Sequence, residues 1–557
     1  MKLFKKIHSK TRATMLVLLL AGSAVFLTAF GSRNFEIAKN LDIFASLFRE
    51  LVVNYVDDVN PAELMKTGID EMLYSLDPYT NFIPESQIED MRFMTTGQYG
   101  GIGALITTRG EYTIITEPYE DFPAYKAGLL PGDRILEISG QSVKGMGSEE
   151  VRELLKGQPG TTLNLLIERD GEPQPLTKSV TREVVTISNI PYYGMLNETT
   201  AYIKLTGFTQ NAGREVRDAF NELRQNHPVE SIVLDLRGNG GGLLNEAVNI
   251  TNLFVEKNQL VVSTQGKIAE RNTSHRTLNN PVDQDIPLVV LVDRGSASAS
   301  EIVAGAIQDF DRGVIIGHRT FGKGLVQNVV PLSYNTQLKV TVAKYYIPSG
   351  RCIQAIDYAQ RNEDGSVAQI PDSLKKAFTT QNGRVVYDGG GIEPDIVVEP
   401  LMLSNISVAL LTRFLVFDYA NYFFRKNSSI PPANEFEITD AIYNDFMAFL
   451  ADKDYEYETR SERFLSELKE ASKNEKYFEA IEKEYEALQQ KMMHNKEEDL
   501  LTFRSEISML LKEEIASRYY HQKGRVLASL SNDREVARAI EILSNSNVYR
   551  SILAGQH

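Results

Sequence analysis

Tryptophan is absent from the 557 residues, and cysteine occurs once, at Cys352. A lone cysteine excludes an intramolecular disulfide and any cysteine-based metal site. Cys352 follows Pro348-Ser349-Gly350-Arg351 with no histidine close by in sequence, so it reads as a structural thiol rather than a nucleophile. Basic residues are in the minority: 59 Lys and Arg against 74 Asp and Glu give a net charge of −15. Phosphate backbones need a basic face, which weighs against nucleic acid as a partner. No internal repeat, low-complexity tract or metal-ligand constellation stands out, and no cofactor is expected. The length is more than one core serves and predicts two to four domains.

What is present begins with an address. Lys2, Lys5, Lys6, Lys10 and Arg12 precede an apolar run, Met15 to Phe30, and the stretch between Arg12 and Arg33 is uncharged. That run suffices for a helix to cross a bilayer core, with the basic side held in the cytoplasm. Ala29-Phe30-Gly31 also fits a small-x-small cleavage site. Residues 1–33 are therefore expected to be a signal anchor or a cleavable signal peptide, and the remainder to be exported.

The rest divides by texture into a multidomain α+β chain. Residues 34–95 are helical: Leu41, Phe44, Ala45, Phe48, Leu51 and Val52 make one apolar stripe. Asn60-Pro61 opens a second helix, and Leu76-Asp77-Pro78-Tyr79-Thr80 breaks it. Residues 96–182 carry short strands, Ile102–Thr107, Tyr112–Thr116 and Leu163–Arg169, and a helix from Ser148, a good N-cap, to Lys156; this predicts a small β module. Residues 183–400 alternate strands with helices as an α/β core. Residues 401–557 are helix-forming and charged. Leu468, Tyr477, Ile481, Leu488, Leu500 and Leu501 there predict a solvated appendage with a packed apolar stripe.

Four segments could carry chemistry. An apolar strand, Leu288–Val292, runs through Asp293-Arg294-Gly295-Ser296-Ala297-Ser298-Ala299-Ser300-Glu301 into an apolar helix. A serine in such a turn sits where free helix N–H groups can receive an oxyanion, although serines there also simply cap helices. Thr320-Phe321-Gly322-Lys323-Gly324 sets a lysine between glycines. As a base it must be neutral, and lowering its pKa from about 10.4 to about 7 needs roughly 4–5 kcal/mol of desolvation. Asp235-Leu236-Arg237-Gly238-Asn239-Gly240-Gly241-Gly242 leads from a strand toward a helix and could present amides to an anion. Tyr99-Gly100-Gly101-Ile102-Gly103 precedes a strand, where glycine amides can grip a chain-terminal carboxylate.

Gly317 to Gly324 nearly spells a phosphate loop, but Gly324 replaces the Mg²⁺-binding hydroxyl and the residues after it look extended. A nucleotide-binding protein is the weakest of the alternatives.

Together and in this order the segments resemble the C-terminal processing peptidases, or tail-specific proteases, over about residues 35–399. Leu76–Thr80 is similar to the family's Leu-Asp-Pro-His-Ser element, with Tyr79-Thr80 in place of His-Ser. The resemblance implies a PDZ domain at 96–182, an α/β crotonase-like protease core at 183–400, and a Ser/Lys dyad. The family spacing of 25 residues between serine and lysine selects Ser298 with Lys323, and Gln327 to orient the lysine.

The implied oxyanion donors are the amides of Ala299 and of Gly241 or Gly242. Tyr99, Gly100, Gly101, Ile102 and Gly103 would bind the substrate tail. Asp309 reads as structural, and His318 as a lesser candidate base than Lys323. The same resemblance implies proteins with free C-termini as partners, delivery by an adaptor protein, and a place on the periplasmic side of the inner membrane. A catalytically silent tail-binding scaffold is the alternative, against which the intact Ser298, Lys323 and Gln327 speak.

Overall fold

The structure is a computed structural model that describes residues 34–361, 366–492 and 496–556. The expected signal or anchor, residues 1–33, lies outside the described residues. No helix among the described residues is long and apolar enough to cross a membrane. The described residues form two units, one within residues 34–83 and 329–340 and one within 84–328 and 341–556.

In the smaller unit, a helix over 34–54 precedes the helix Pro61–Tyr74. Asn60 caps the second helix by accepting from the Ala62 amide, with Pro61 in the first turn. The strand Asn81–Ile83 then pairs antiparallel with residues 337–339. Between them, Asp77 accepts from the amides of Tyr79 and Thr80, which sets the turn. The expected apolar stripe is open to solvent at Leu41, Phe44 and Leu51.

The larger unit begins with the helix Ile88–Thr96 and an antiparallel ribbon of Gln98–Gly101 with Glu183–Thr186. The ribbon brackets a β module whose sheet runs Ala104–Arg109, Tyr112–Pro118, Arg134–Ile138, Thr162–Glu168, Leu176–Thr181. Ile115, Ile135, Leu165 and Ile167 fill its core beneath the helix Ser148–Leu155. The first strand starts later than the sequence suggests, because Gly103 adopts a φ of +71°. The helix is capped by Gly147, whose amide donates to Glu150, rather than by Ser148.

The protease-core expectation corresponds to a six-stranded sheet in the order Tyr192–Met195, Thr200–Lys204, Ser231–Asp235, Leu288–Val292, Val314–Gly317, Ile396–Val397. The first pair is antiparallel and the others are parallel. The central strands are buried along their whole length, which explains their unbroken apolar runs. One face packs against the helices Ala212–Asn226, Leu244–Thr251 and Ala299–Asp309.

The other face corrects the expectation of a solvated appendage. Val536, Ala539 and Ile542 of the helix Arg534–Ser544, with Tyr549 and Ile552 of Ser546–Leu553, pack on Val233, Val289 and Leu291. A sheet apolar on both sides needs a second cover, and the C-terminal helices supply it. The C-terminal region also has its own core, built around Tyr419, Tyr443, Phe446, Ile507 and Leu511. Asp418 of that region takes both guanidinium ends of Arg109 from the β module at 2.6 Å. Of the stripe expected there, Leu500 is buried, while Leu468, Tyr477, Leu488 and Leu501 are exposed.

Candidate active site

The turn after Leu288–Val292 is tied by Asp293, whose carboxylate accepts from the amides of Gly238, Gly295 and Ser296. Three serines follow, and their surroundings separate them. Ser296 and Ser300 are fully buried, with hydroxyls that donate to the carbonyls of Leu236 and Asn239. Ser298 is half-buried and stands at the N-terminus of the helix Ala299–Asp309 with φ +56° and ψ −111°. This is a strained backbone for a non-glycine residue, of the kind that clusters at functional sites.

Glu301, one turn into that helix, is wholly buried. Its carboxylate accepts four hydrogen bonds. One oxygen takes the Thr320 hydroxyl at 2.6 Å and the Gly322 amide at 2.7 Å. The other takes the Ser298 amide at 2.8 Å and the Lys323 amide at 2.9 Å. A single side chain therefore holds the serine turn against the lysine loop. Burial pushes the carboxyl up to about 7, against the four bonds that favour its charged form.

Tyr345, on the strand Gln337–Tyr346, makes a second tie. Its hydroxyl lies 2.6 Å from the carbonyl oxygen of Lys323 and 3.1 Å from that of Ser298. The Gly324 amide is taken by the side chain of Gln354 at 2.7 Å. Lys323 is half-buried between these anchors.

The glycine segment after Ser231–Asp235 comes against the serine. A Cβ on Gly241 would stand 2.7 Å from the Ala297 carbonyl, 2.9 Å from the Ala299 amide and 2.9 Å from Ser298 Cβ, and its φ is +97°. Here only glycine allows so close an approach. The expected role of Gly241 as a donor needs correction, since its amide already donates to Asn239 Oδ1 at 2.9 Å. Gly242 meets Phe208 in a parallel bridge that uses the Gly241 carbonyl and the Leu243 amide, so the Gly242 amide makes neither bond. Ala299 and Gly242 are the pair whose amides these bonds leave uncommitted.

Behind this loop, Asp235 is fully buried and accepts from Tyr202, Lys204 and Arg237. Burial alone would raise its carboxyl, but Arg237 and Lys204 hold it below the usual carboxylate range. Arg237 continues to Asp533 and Glu535 of the C-terminal cover.

The other residues singled out from sequence are placed as follows. Gln327 donates to Thr341 Oγ1 at 3.2 Å. Asp309 forms a buried ion pair with Arg351 at 2.8 Å and accepts from the Ser349 amide, a structural role. His318 is half-buried, with its backbone amide on Val292. Cys352 is half-buried, and burial pushes its thiol up, away from reactivity. At the β module, Gly100 and Gly101 lie in the ribbon, opposite Val184 and Glu183. Ile102 is buried in the module core, and Gly103 makes the turn into the first strand. Tyr99 folds its ring over Gly101, where a Cβ would stand 2.5 Å from it.

Comparison with known proteins agrees with this layout. A family model described as peptidase family S41 matches residues 199–363, and a PDZ-domain model matches 114–169. A third, the C-terminal helical domain of probable PDZ-proteases, matches 406–543. The carboxy-terminal-processing protease of Bartonella bacilliformis is 36% identical over 321 residues, 57% of this chain and 73% of that protein. The chain belongs to peptidase family S41.

The chloroplastic C-terminal processing peptidase of Tetradesmus obliquus is 36% identical over 296 residues, which is 50% of this chain and 63% of that one. Among solved structures, a photosystem II D1 C-terminal processing protease is 30% identical, with a TM-score of 0.36, covering 64% of this chain and 87% of that one. By its family-model matches and its sequence relatives, this S41 chain is a serine protease of the C-terminal processing type, with a PDZ domain and a C-terminal helical domain.

Sequence reasoning passed over Glu301, Tyr345 and Arg237. Glu301 did carry a signal: Ser298-x-x-Glu301 is a capping-box spacing.

Proposed function

We propose that the chain is an endopeptidase that recognises protein C-termini through its PDZ domain and hydrolyses peptide bonds with Ser298 and Lys323. The observation that carries this reading is the Glu301 carboxylate, which accepts from the amides of both Ser298 and Lys323. Two segments 25 residues apart have no packing need for a shared buried acid. A nucleophile and its base do need a fixed separation.

In the mechanism, neutral Lys323 takes the proton of Ser298 as the hydroxyl attacks the substrate carbonyl. The amides of Ala299 and Gly242 receive the oxyanion, at the positive end of the helix Ala299–Asp309. Lys323 then returns the proton to the leaving amine, and water releases the acyl group from Ser298. Gln327, four residues beyond the lysine and donating to Thr341 Oγ1, is assigned the part of orienting Lys323. The basic start and apolar run of residues 1–33 support an enzyme exported to the periplasmic side of the inner membrane. Delivery of substrates by an adaptor protein is part of the same proposal.

The test uses the purified chain with an unfolded protein ending in a free apolar residue, its products read by mass spectrometry. Wild type is expected to cleave, and Ser298→Ala and Lys323→Ala to lose at least about a thousandfold in rate. Cleavage that persists in Lys323→Ala would move the base elsewhere. Absence of cleavage together with tight tail binding would favour a silent scaffold.

A further inference from the structure

The tail site of the PDZ domain is built from the turn Gly101-Ile102-Gly103-Ala104 and faces the helix Ser148–Leu155 across a cavity of about 260 Å³. Phe93, Tyr99, Leu105, Tyr119, Arg152 and Leu155 are among its lining residues. The carbonyls of Ile102 and Gly103 accept from Ala124 and Tyr119 on the module side. Backbone amides of Gly103 and Ala104 face the Tyr99 hydroxyl, which burial keeps protonated by pushing the phenol up to about 12.

The ring that brings the hydroxyl there is held from two sides. Gly101 lies directly beneath it. Phe93, from the helix Ile88–Thr96, meets it edge-on at 5.3 Å between centroids and 87° between planes. Asp90 of the same helix pairs with Lys156, just past the end of the groove helix.

We propose that Tyr99 is a built-in occupant of the tail site: its ring and hydroxyl stand in front of the amides that a substrate's terminal carboxylate needs, and a tail binds by displacing them. This rests on the tail-recognition reading above and adds the regulation of that site. The exchange favours a free C-terminus for a physical reason. A phenol oxygen accepts neutral hydrogen bonds, whereas a carboxylate accepts charge-assisted bonds of roughly twice the strength. Arg152, close enough for its charge to act on the Tyr99 oxygen, adds to the preference. An internal segment or an amidated end lacks the charge and leaves the tyrosine in place. Tyr99, expected from sequence to bind the tail, thus competes with it.

The experiment measures peptide affinity on the full chain in the Ser298→Ala background, so that the probe is not consumed. The probe is a fluorescein-labelled dodecapeptide ending in valine with a free carboxylate, beside the same peptide amidated. Tyr99→Phe keeps the ring and removes the hydroxyl; it is expected to tighten binding of the free-acid peptide about two- to fivefold, less than the worth of a full hydrogen bond. Phe93→Leu, which loosens the ring, is expected to shift binding in the same direction. The amidated peptide should stay weaker than the acid in every form.

Unchanged or weaker acid-peptide binding in Tyr99→Phe overturns the competitor role while the tail site stands. If acid and amidated peptides bind alike, or neither binds, tail recognition itself fails and the competitor role falls with it.

Discussion

The hydroxyl of Tyr345 lies 2.6 Å from the carbonyl oxygen of Lys323 and 3.1 Å from that of Ser298. One proton is shared between two carbonyls, so the tyrosine fixes the gap between the two backbones rather than either one alone. Tyr345→Phe keeps the buried ring and removes that tie. Stability should fall by about 1–2 kcal/mol. The turnover number should fall about tenfold or more, with little change in KM, because the substrate surface is untouched. Labelling of Ser298 by a fluorophosphonate, compared with tail-peptide affinity, separates the two effects.

Glu301→Gln should be more severe. The amide replaces an acceptor-only carboxylate and turns a donor toward a pocket of donors, Thr320, Gly322, Ser298 and Lys323. Loss of about 2–4 kcal/mol is expected, with fluorophosphonate labelling reduced to background. Thermal unfolding and labelling of the same sample check both.

The buried acid also predicts a pH signature. The Glu301 carboxyl is raised from 4.5 to about 7, so between those values the folded state binds the proton more tightly than the unfolded state. Its contribution to stability is fully present below about 4.5 and is lost as pH rises to about 7, a change of up to about 3 kcal/mol. The wild-type urea midpoint should therefore fall relative to that of Glu301→Gln as pH rises through that window. Parallel curves from pH 4.5 to 7 would remove the assignment.

Gly241→Ala should abolish activity while the chain still folds. The new Cβ meets three atoms of the serine turn at 2.7–2.9 Å, at a φ of +97°. Gly240, with open space around its Cβ position, is the control: Gly240→Ala should keep most of the activity. Circular dichroism and cleavage rates distinguish the two substitutions.

Arg237→Ala tests the link between the glycine segment and the C-terminal cover. It removes the main partner of the fully buried Asp235 and of Asp533. Loss of about 3–5 kcal/mol is expected, with Asp533→Ala milder. Limited proteolysis within residues 504–553 should quicken in both.

Much of this layout could be read in advance where the signal was local. The apolar run Leu288–Val292 announced a strand of the α/β core, and the family resemblance put Ser298 and Lys323 25 residues apart as a pair. What stayed hidden depended on residues distant in sequence. Glu301 is legible as a cap to its own helix, but its other three bonds come from a loop about twenty residues later. Tyr345 is one aromatic residue in a strand, and nothing beside it names Lys323. Val536, Ala539 and Ile542 show the spacing of an apolar helix face, yet the surface they cover was made some three hundred residues earlier. Gly241 offers an amide by its place in the sequence, and the nearby Asn239 side chain takes it.

The C-terminal cover sets a clock on the enzyme. Half of the core sheet stays bare until residues 534–553 arrive, so the serine turn emerges well before the scaffold behind it can close. At about 5–20 residues per second, roughly a quarter-minute or more separates synthesis of Ser298 from that of the last helices. A protease finished in this order has its nucleophile in the chain long before the sheet behind it is covered.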